Sequence, residues 1–192
     1  MSSTNKNKVF NINLFHLLSL FPLVLFSYYK NGYMVYKNQY LSFFSSLEYF
    51  VIPILIVIIS YLIEIYYYIG IKKNRDYSNV VNSFCPYTNL LCYLLCGPND
   101  ALYITIPLIF ITDILMKILD KKITINRVAL FKCILFILLV IFGIYNNANI
   151  YESIMNIEII STWEAFIGLT IGEMGVVSNL LILLCFIVLL FN

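Results

Sequence analysis

Six apolar segments follow one another along the chain, separated by shorter polar connectors. They are Ile12–Tyr29, Leu47–Gly70, Val80–Cys96, Ala101–Leu119, Val128–Tyr145 and Val176–Phe191. An α-helix needs about 20 residues to cross a bilayer, and the third and sixth segments are short for that purpose. The pattern predicts an all-α fold: a polytopic membrane helix bundle of about six transmembrane segments, in which the two short segments are tilted or partly re-entrant.

Composition indicates lipid, rather than water, as the solvent for most of this surface. The 192 residues are 61% hydrophobic and 11% charged, whereas a soluble domain is about 45–50% apolar and about 25% charged. The mean hydropathy is +0.89. We therefore expect residues 1–192 to form a single integral membrane domain.

The basic residues predict the orientation of this bundle, because cytoplasmic connectors are enriched in lysine and arginine. With a cytoplasmic amino terminus, only Lys30 and Lys37 lie outside, and Lys132 lies within the fifth segment. The basic residues on the inner side are then Lys6, Lys8, Lys72, Lys73, Arg75, Lys117, Lys121, Lys122 and Arg127. This asymmetry predicts that both termini are cytoplasmic.

Two carboxylates within the apolar segments are candidates for a functional role. Glu64 lies among tyrosines near the end of the second segment, and Asp113 precedes Lys117 by four residues in the fourth. Ionisable residues within a membrane are costly and often mark ion pathways, so Glu64 and Asp113 are candidates for an ion path. Two simpler interpretations stay open: Glu64 as an interfacial residue beside an aromatic belt, and Asp113–Lys117 as a local pair on one helical face.

A glycine-rich stretch leads into the last segment. Gly168 and Gly172 have the small-xxx-small spacing that lets helix backbones approach closely, and Gly175 extends the bare face. Irregular backbone at membrane depth is tolerated where it is buried in protein or lines a cavity. The stretch predicts a glycine-broken half-helix before the last segment, with Glu173 buried or facing a cavity. Glu173 is then a third candidate for the ion path. Plain helix packing, with Glu173 at the outer interface, is the alternative.

The segment "FIGLTIGEMGVVSNLLILL" resembles the D subunit of the Rnf electron-transport complex, whose family includes the B subunit of the sodium-pumping NADH:quinone reductase. The positions that fall in register are Phe166, Gly168, Gly172, Gly175, Ser178, Leu180, Ile182, Leu183 and Leu184. The family's glutamate follows the third glycine, where this chain has Val176, whereas Glu173 precedes that glycine by two residues. Weaker similarity runs along most of the chain.

The resemblance implies a membrane subunit of an ion-translocating oxidoreductase, not catalytic alone, in a bacterial cytoplasmic membrane. Such a complex couples electron flow to sodium or proton movement and contains other membrane subunits, which would supply the family's further helices. FMN is the implied cofactor, with Gly172, Gly175 and Ser178 as the flavin-binding or helix-packing segment. The family attaches FMN to threonine in an S-G-A-T motif, which the loop before Thr162 lacks, so any FMN here is expected to be non-covalent.

The residue types keep two alternative functional classes open and exclude several others. A small multi-pass transporter or channel, and a non-catalytic membrane scaffold, are the alternative functions, because broken helices with buried acids suit both. Cys85, Cys92 and Cys96 share a helical face, as iron–sulfur ligands or as small packing residues. With one histidine and no metal-spaced His/Cys set, we predict no metal site, no hydrolytic chemistry and no nucleic-acid binding.

Overall fold

The computed structural model describes residues 14–73, 80, 83–97, 102–119, 126–142, 162–167 and 178–190. Within these ranges every regular element is helical and none is a strand, which confirms the all-α prediction. The α-helices that we label are α1 (Phe21–Ser27), α2 (Met34–Lys37), α3 (Phe43–Ile65), α4 (Cys85–Leu94), α5 (Leu102–Leu119), α6 (Arg127–Ile141), α7 (Thr162–Ile167) and α8 (Asn179–Leu190). Residues 14–19 and Val80 are α-helical as well. Two π-helical turns, π1 (Tyr28–Tyr33) and π2 (Tyr66–Ile71), extend α1 and α3.

The first helical region continues beyond its predicted end at Tyr29. It runs from α1 through π1 and α2 to Lys37, so Lys30 lies in a helix and is 1% exposed, not in an outer connector. Gly32 explains this packing. A Cβ atom at Gly32 would lie 2.6 Å from the backbone oxygen of Ser46, so only glycine lets π1 approach α3 this closely.

The helix formed by α3 and π2 is the longest in the described ranges. Ser42 caps its amino-terminal end, because its Oγ accepts a hydrogen bond from the Ser45 backbone N–H at 3.2 Å. Together α3 and π2 span 29 residues, within which an 18-residue window has a mean hydropathy of 2.2. By length and composition this is the one helix of the described ranges able to cross a membrane. The six-span arrangement therefore stays a prediction.

In the part of the third predicted segment that the structure describes, the longest element is the short helix α4, which lies at the centre of the fold. Its ten residues measure about 15 Å, about half of a bilayer's hydrocarbon core. It packs against α3, α5 and α6, and Cys92, Tyr93 and Leu94 are 0% exposed. Lys132 of α6 donates a hydrogen bond to the backbone oxygen of Leu95, so a cation lies at the negative end of the α4 dipole.

Apolar side chains from five helices fill the space around α4. Leu23 of α1, Ile56 of α3, Ile109 of α5 and Phe131 of α6 belong to one buried cluster, which also includes Cys185 of α8. Because the chain reverses between successive long helices, the carboxyl ends of α3 and α5 lie beside the amino ends of α4 and α6. This arrangement positions the site described next.

Candidate functional site: a buried charge cluster

Four charged side chains from three helices meet at that end of the fold, and we call them the charge cluster. Glu64 comes from α3, Asp113 and Lys117 from α5, and Arg127 is the first residue of α6. Lys117 Nζ lies 3.0 Å from Glu64 Oε1 and 3.1 Å from Asp113 Oδ2, and Arg127 Nη1 lies 2.9 Å from Asp113 Oδ1. The carboxylate side chains are 2% exposed, and those of Lys117 and Arg127 are 14% and 13% exposed.

Neutral side chains before and within α4 complete the surroundings of the carboxylates. Ser83 Oγ donates to Glu64 Oε1 at 2.8 Å and accepts from the Cys85 backbone N–H at 3.1 Å. The Cys85 thiol donates to Asp113 Oδ2 at 3.0 Å. The amino end of α4 is thereby joined to both α3 and α5 through the cluster.

The Arg127 guanidinium is held by α4 as well as by Asp113. It donates to Thr88 Oγ1 at 2.9 Å and to Asn89 Oδ1. The Asn89 amide in turn donates to Ser60 Oγ of α3 at 2.7 Å. Neutral acceptors on α4 therefore fix the position of Arg127. Its positive charge is compensated by Asp113.

The two carboxylates have different surroundings although the four charges sum to zero. Both oxygens of Asp113 accept hydrogen bonds or ion pairs, one of them from Arg127. Glu64 is served only at Oε1, and its buried Oε2 has no hydrogen-bond partner among the described residues. Since an arginine does not lose its proton in proteins, Asp113 has a permanent counter-charge, whereas Glu64 depends on Lys117.

An apolar groove lies beside the cluster. It has a volume of about 400 Å³, and Lys117 and Tyr67 are among its lining residues. Lys117 Nζ lies 5.3 Å from the centre of the Tyr67 ring, and Tyr67 Oη donates to the Lys117 backbone oxygen at 3.4 Å. The remaining lining residues are Leu62, Ile63, Tyr66, Ile71, Ile114 and Ile118.

Two of the three residues predicted for an ion path come together, and the third cannot be placed. Glu64 and Asp113 share Lys117, so the local Asp113–Lys117 pair exists and extends across to α3. Glu173 lies outside the described residues, as do Gly172 and Gly175 of the predicted flavin-binding segment.

Ser178, the remaining member of the predicted flavin-binding segment, caps α8. Its side chain is 1% exposed, and its Oγ accepts from the Leu181 backbone N–H at 3.3 Å. Two turns further on, the Cys185 thiol donates to the Ser19 backbone oxygen at 2.8 Å and ties α8 to the residues just before α1. The contacts of Ser178 are therefore those of a helix cap.

One group of side chains could hold a metal ion by geometry within the described ranges. The ligand atoms of Glu64, Cys85 and Asp113 all lie within 4.8 Å of one another. The cations that these carboxylates need are already present as Lys117 and Arg127, so a metal ion would add an uncompensated buried charge. The other two thiols predicted on this face lie in the core, where the Cys96 thiol donates to the Cys92 backbone oxygen at 3.3 Å.

The sequence pattern did not identify Arg127 as a site residue. It lies in a basic connector with Lys121 and Lys122, and only Asn126 marks it as the first residue of a helix. Asn126 Oδ1 accepts from the backbone N–H groups of Val128 and Ala129, which is an amino-terminal cap.

No protein-family model, curated protein or solved structure matches this chain.

Proposed function

We propose that this chain is a multi-span membrane subunit of an ion-translocating, Rnf-type electron-transport complex, and that the charge cluster handles the ion. The observation that carries the proposal is Lys117 Nζ, which lies 3.0 Å and 3.1 Å from carboxylates on two different helices. Both carboxylates are buried, and a buried charge is retained at considerable cost in free energy. Ionisable groups in such positions commonly belong to ion pathways.

The membrane part of the proposal is supported by the apolar segments and by the orientation that the basic residues predict. In that orientation Glu64, Lys117 and Arg127 all lie near cytoplasmic ends of their helices, where an ion would be taken up or released. The exposed Lys72, which lies 4.8 Å from the Tyr67 ring centre, fits the same interface, because amphipathic rings and lysines anchor helices at the headgroups.

The redox part of the proposal is supported by the resemblance of Phe166–Leu184 to the Rnf family. We propose that Gly172 and Gly175 let a non-covalent FMN or a partner helix approach the backbone, with Ser178 keeping its cap. The partners would be other membrane subunits of the complex, and the location a bacterial cytoplasmic membrane. FMN would supply one-electron and two-electron chemistry, while the protein would position it and tune its potential.

The first test is purification of the tagged chain in mild detergent from its native membranes. A flavin spectrum together with companion redox subunits is the expected result. Replacing Gly172 and Gly175 by leucine should remove the flavin or the companions, and retention of both by that variant would refute the role of this segment. A colourless protein that arrives alone would refute the complex.

The second test measures ion movement in inverted native vesicles energised by electron donors. Glu64→Gln should reduce translocation at least tenfold, while electron transfer and subunit content are checked in parallel. Glu48→Gln is the matched control, because Glu48 is an exposed carboxylate on the same helix α3. Equal translocation in both variants would remove the cluster from the ion path.

A non-catalytic scaffold is the second candidate, and the charge balance of the cluster favours it. The two carboxylates and two cations compensate one another, and such a set can have a purely structural role. That role would be to hold α3, α4, α5 and α6 together. Under this alternative, Glu64→Gln would lower stability and leave translocation per assembled complex unchanged. A small transporter remains the third candidate, and substrate flux by the purified chain alone would favour it.

A further inference from the structure

The charge cluster differs from a metal-cation site in that its positive charges are covalently attached. The Lys117 ammonium occupies the position between Glu64 Oε1 and Asp113 Oδ2, at 3.0 Å and 3.1 Å. A sodium ion placed there would either displace Lys117 or add a buried charge to a balanced set. The third potential ligand, the Cys85 thiol, is a poor partner for a hard cation, which prefers oxygen.

The two cations are equally exposed but chemically unlike. The side chains of Lys117 and Arg127 are 14% and 13% exposed, so both can be reached from the surface. Lysine can lose its proton when it is desolvated, whereas arginine stays protonated. Lys117 is therefore the member of the cluster able to pass a proton on.

The two carboxylates are unlike in the same way. Asp113 has Arg127 at Oδ1 and donors at Oδ2, so it remains paired whatever Lys117 does. Glu64 loses its counter-charge when Lys117 is neutral, and its Oε2 is buried with no hydrogen-bond partner among the described residues. Glu64 is the carboxylate whose charge can change.

We infer that the ion handled at this cluster is a proton, which Lys117 passes to Glu64 while Asp113 and Arg127 stay ionised. The inference rests on the proposed function and names its ion. In the step, an N–H bond of Lys117 breaks, its electron pair stays on nitrogen, and an O–H bond forms on Glu64 Oε1. A neutral amine and a neutral carboxylic acid result, and the four side chains still sum to zero. Glu64 then gives up this proton on the far side of the step, and Lys117 takes up another from hydronium in the water on the cytoplasmic side, so the four side chains again sum to zero.

Other titratable or charged groups surround the pair on every packed element and must be separated from it. They are Tyr67, Tyr68 and Lys72 on or after π2, Cys85 on α4, Asp113 on α5 and Arg127 on α6. Carboxylic acids have a C=O stretching band in the infrared that tyrosine, lysine, cysteine and arginine lack. Isotope labelling then separates glutamate from aspartate without changing the fold.

The experiment is an infrared pH titration of the full chain in detergent, labelled with carboxyl-¹³C glutamate or aspartate. We expect a protonated carboxyl band that shifts with glutamate label, is absent from Glu64→Gln and persists in Glu48→Gln. Lys117→Arg keeps the positive charge but does not release its proton. In this variant the same band should require a proton concentration about tenfold higher. Added sodium should leave the titration unchanged.

Several results would overturn the inference. They are a band that follows the aspartate label, a Glu64→Gln variant that keeps the band, a midpoint that moves with sodium, and an unaltered titration in Lys117→Arg. Sodium-driven translocation without a Glu64 band would leave the proposed function standing and remove the proton. If Glu64 titrated as expected but the vesicles moved no ion, the protonation of Glu64 would stand and the proposed function would fall.

Discussion

The two halves of the short helix α4 are held in different ways. Its first half reaches the charge cluster through the Cys85 thiol and the Asn89 amide. Its second half, with Tyr93 and Leu94 at 0% exposure, lies among apolar side chains. Both halves are largely buried, and α4 as a whole packs against α3, α5 and α6, yet the side-chain hydrogen bonds described between α4 and its neighbours come from the first half.

The difference between the two halves indicates which contacts select one particular arrangement of the helices. In the proposed membrane setting, lipid tails are as apolar as leucine, so the apolar half gains packing but little hydrophobic driving force. The charged half gains little net free energy from its ion pairs, but leaving one charge unpaired is strongly unfavourable. The apolar half therefore tolerates change, whereas the charged half selects one arrangement of helices.

The largest expected effect is that of Arg127→Met, which leaves Glu64 and Asp113 with a single cation. We expect the free energy of unfolding to fall by about 3–5 kcal/mol, because one buried negative charge becomes uncompensated. Circular dichroism during denaturant-induced unfolding in micelles measures this loss. Lys37→Met, at an exposed position of α2, should change stability by under about 0.5 kcal/mol; similar losses in both variants would contradict the comparison.

Leu135→Ala tests the apolar half and should have a smaller effect. Leu135 of α6 is 2% exposed and belongs to the core around α4. We expect a loss of about 2 kcal/mol in the same assay, at the low end for such truncations, because lipid replaces water as the reference solvent. Ile137→Ala, two residues along and 55% exposed, serves as the control. A loss larger than that of Arg127→Met would reverse the comparison.

A double-mutant cycle sharpens the comparison within the charged half. Lys117→Met and Glu64→Gln each leave a partner behind, whereas the double variant removes both charges of one pair. We expect the double variant to be more stable than the sum of the single effects predicts, by about 1–2 kcal/mol. Additive losses would mean that Lys117 and Glu64 are not coupled.

The smallest effect expected is that of Ser83→Ala, which removes the hydroxyl donor to Glu64 Oε1. A loss of about 1 kcal/mol is expected, because membrane-buried hydrogen bonds contribute modestly. Ser45→Ala, which removes an exposed hydroxyl contact with Ser42, should show no more than a few tenths in the same unfolding assay. If Ser83→Ala matched its control, the hydroxyl would not help to hold Glu64.

The sequence was sufficient to identify Glu64 and Asp113 as unusual, because a carboxylate surrounded by apolar residues is visible without a structure. Their meeting at Lys117 depends on how α3 and α5 pack, which no local pattern encodes. Arg127 was missed for a different reason: it follows Lys121 and Lys122 in a basic stretch, and its place in the cluster depends on how α6 packs against α4 and α5. The helical class itself followed directly from the length and apolarity of the segments.

Lys30 shows the same limit at the other end of the fold. A lysine after an apolar run predicts a connector, and the prediction was wrong because Gly32 lets the chain stay helical against α3. The close contact involves the backbone oxygen of Ser46, so it cannot be predicted from the side chains of α3.

The shortness of α4 has a consequence for biogenesis. Machinery that inserts nascent helices sorts them by apolar length, and ten residues that include Asn89 do not qualify as an independent span. In the proposed membrane setting α4 would thus enter the bilayer only in the company of α3 and α5. The contact between α4 and Arg127 can form only after α6 has been synthesised. In this setting α4 would stay at the cytoplasmic surface until then and would pack into the bundle late in maturation.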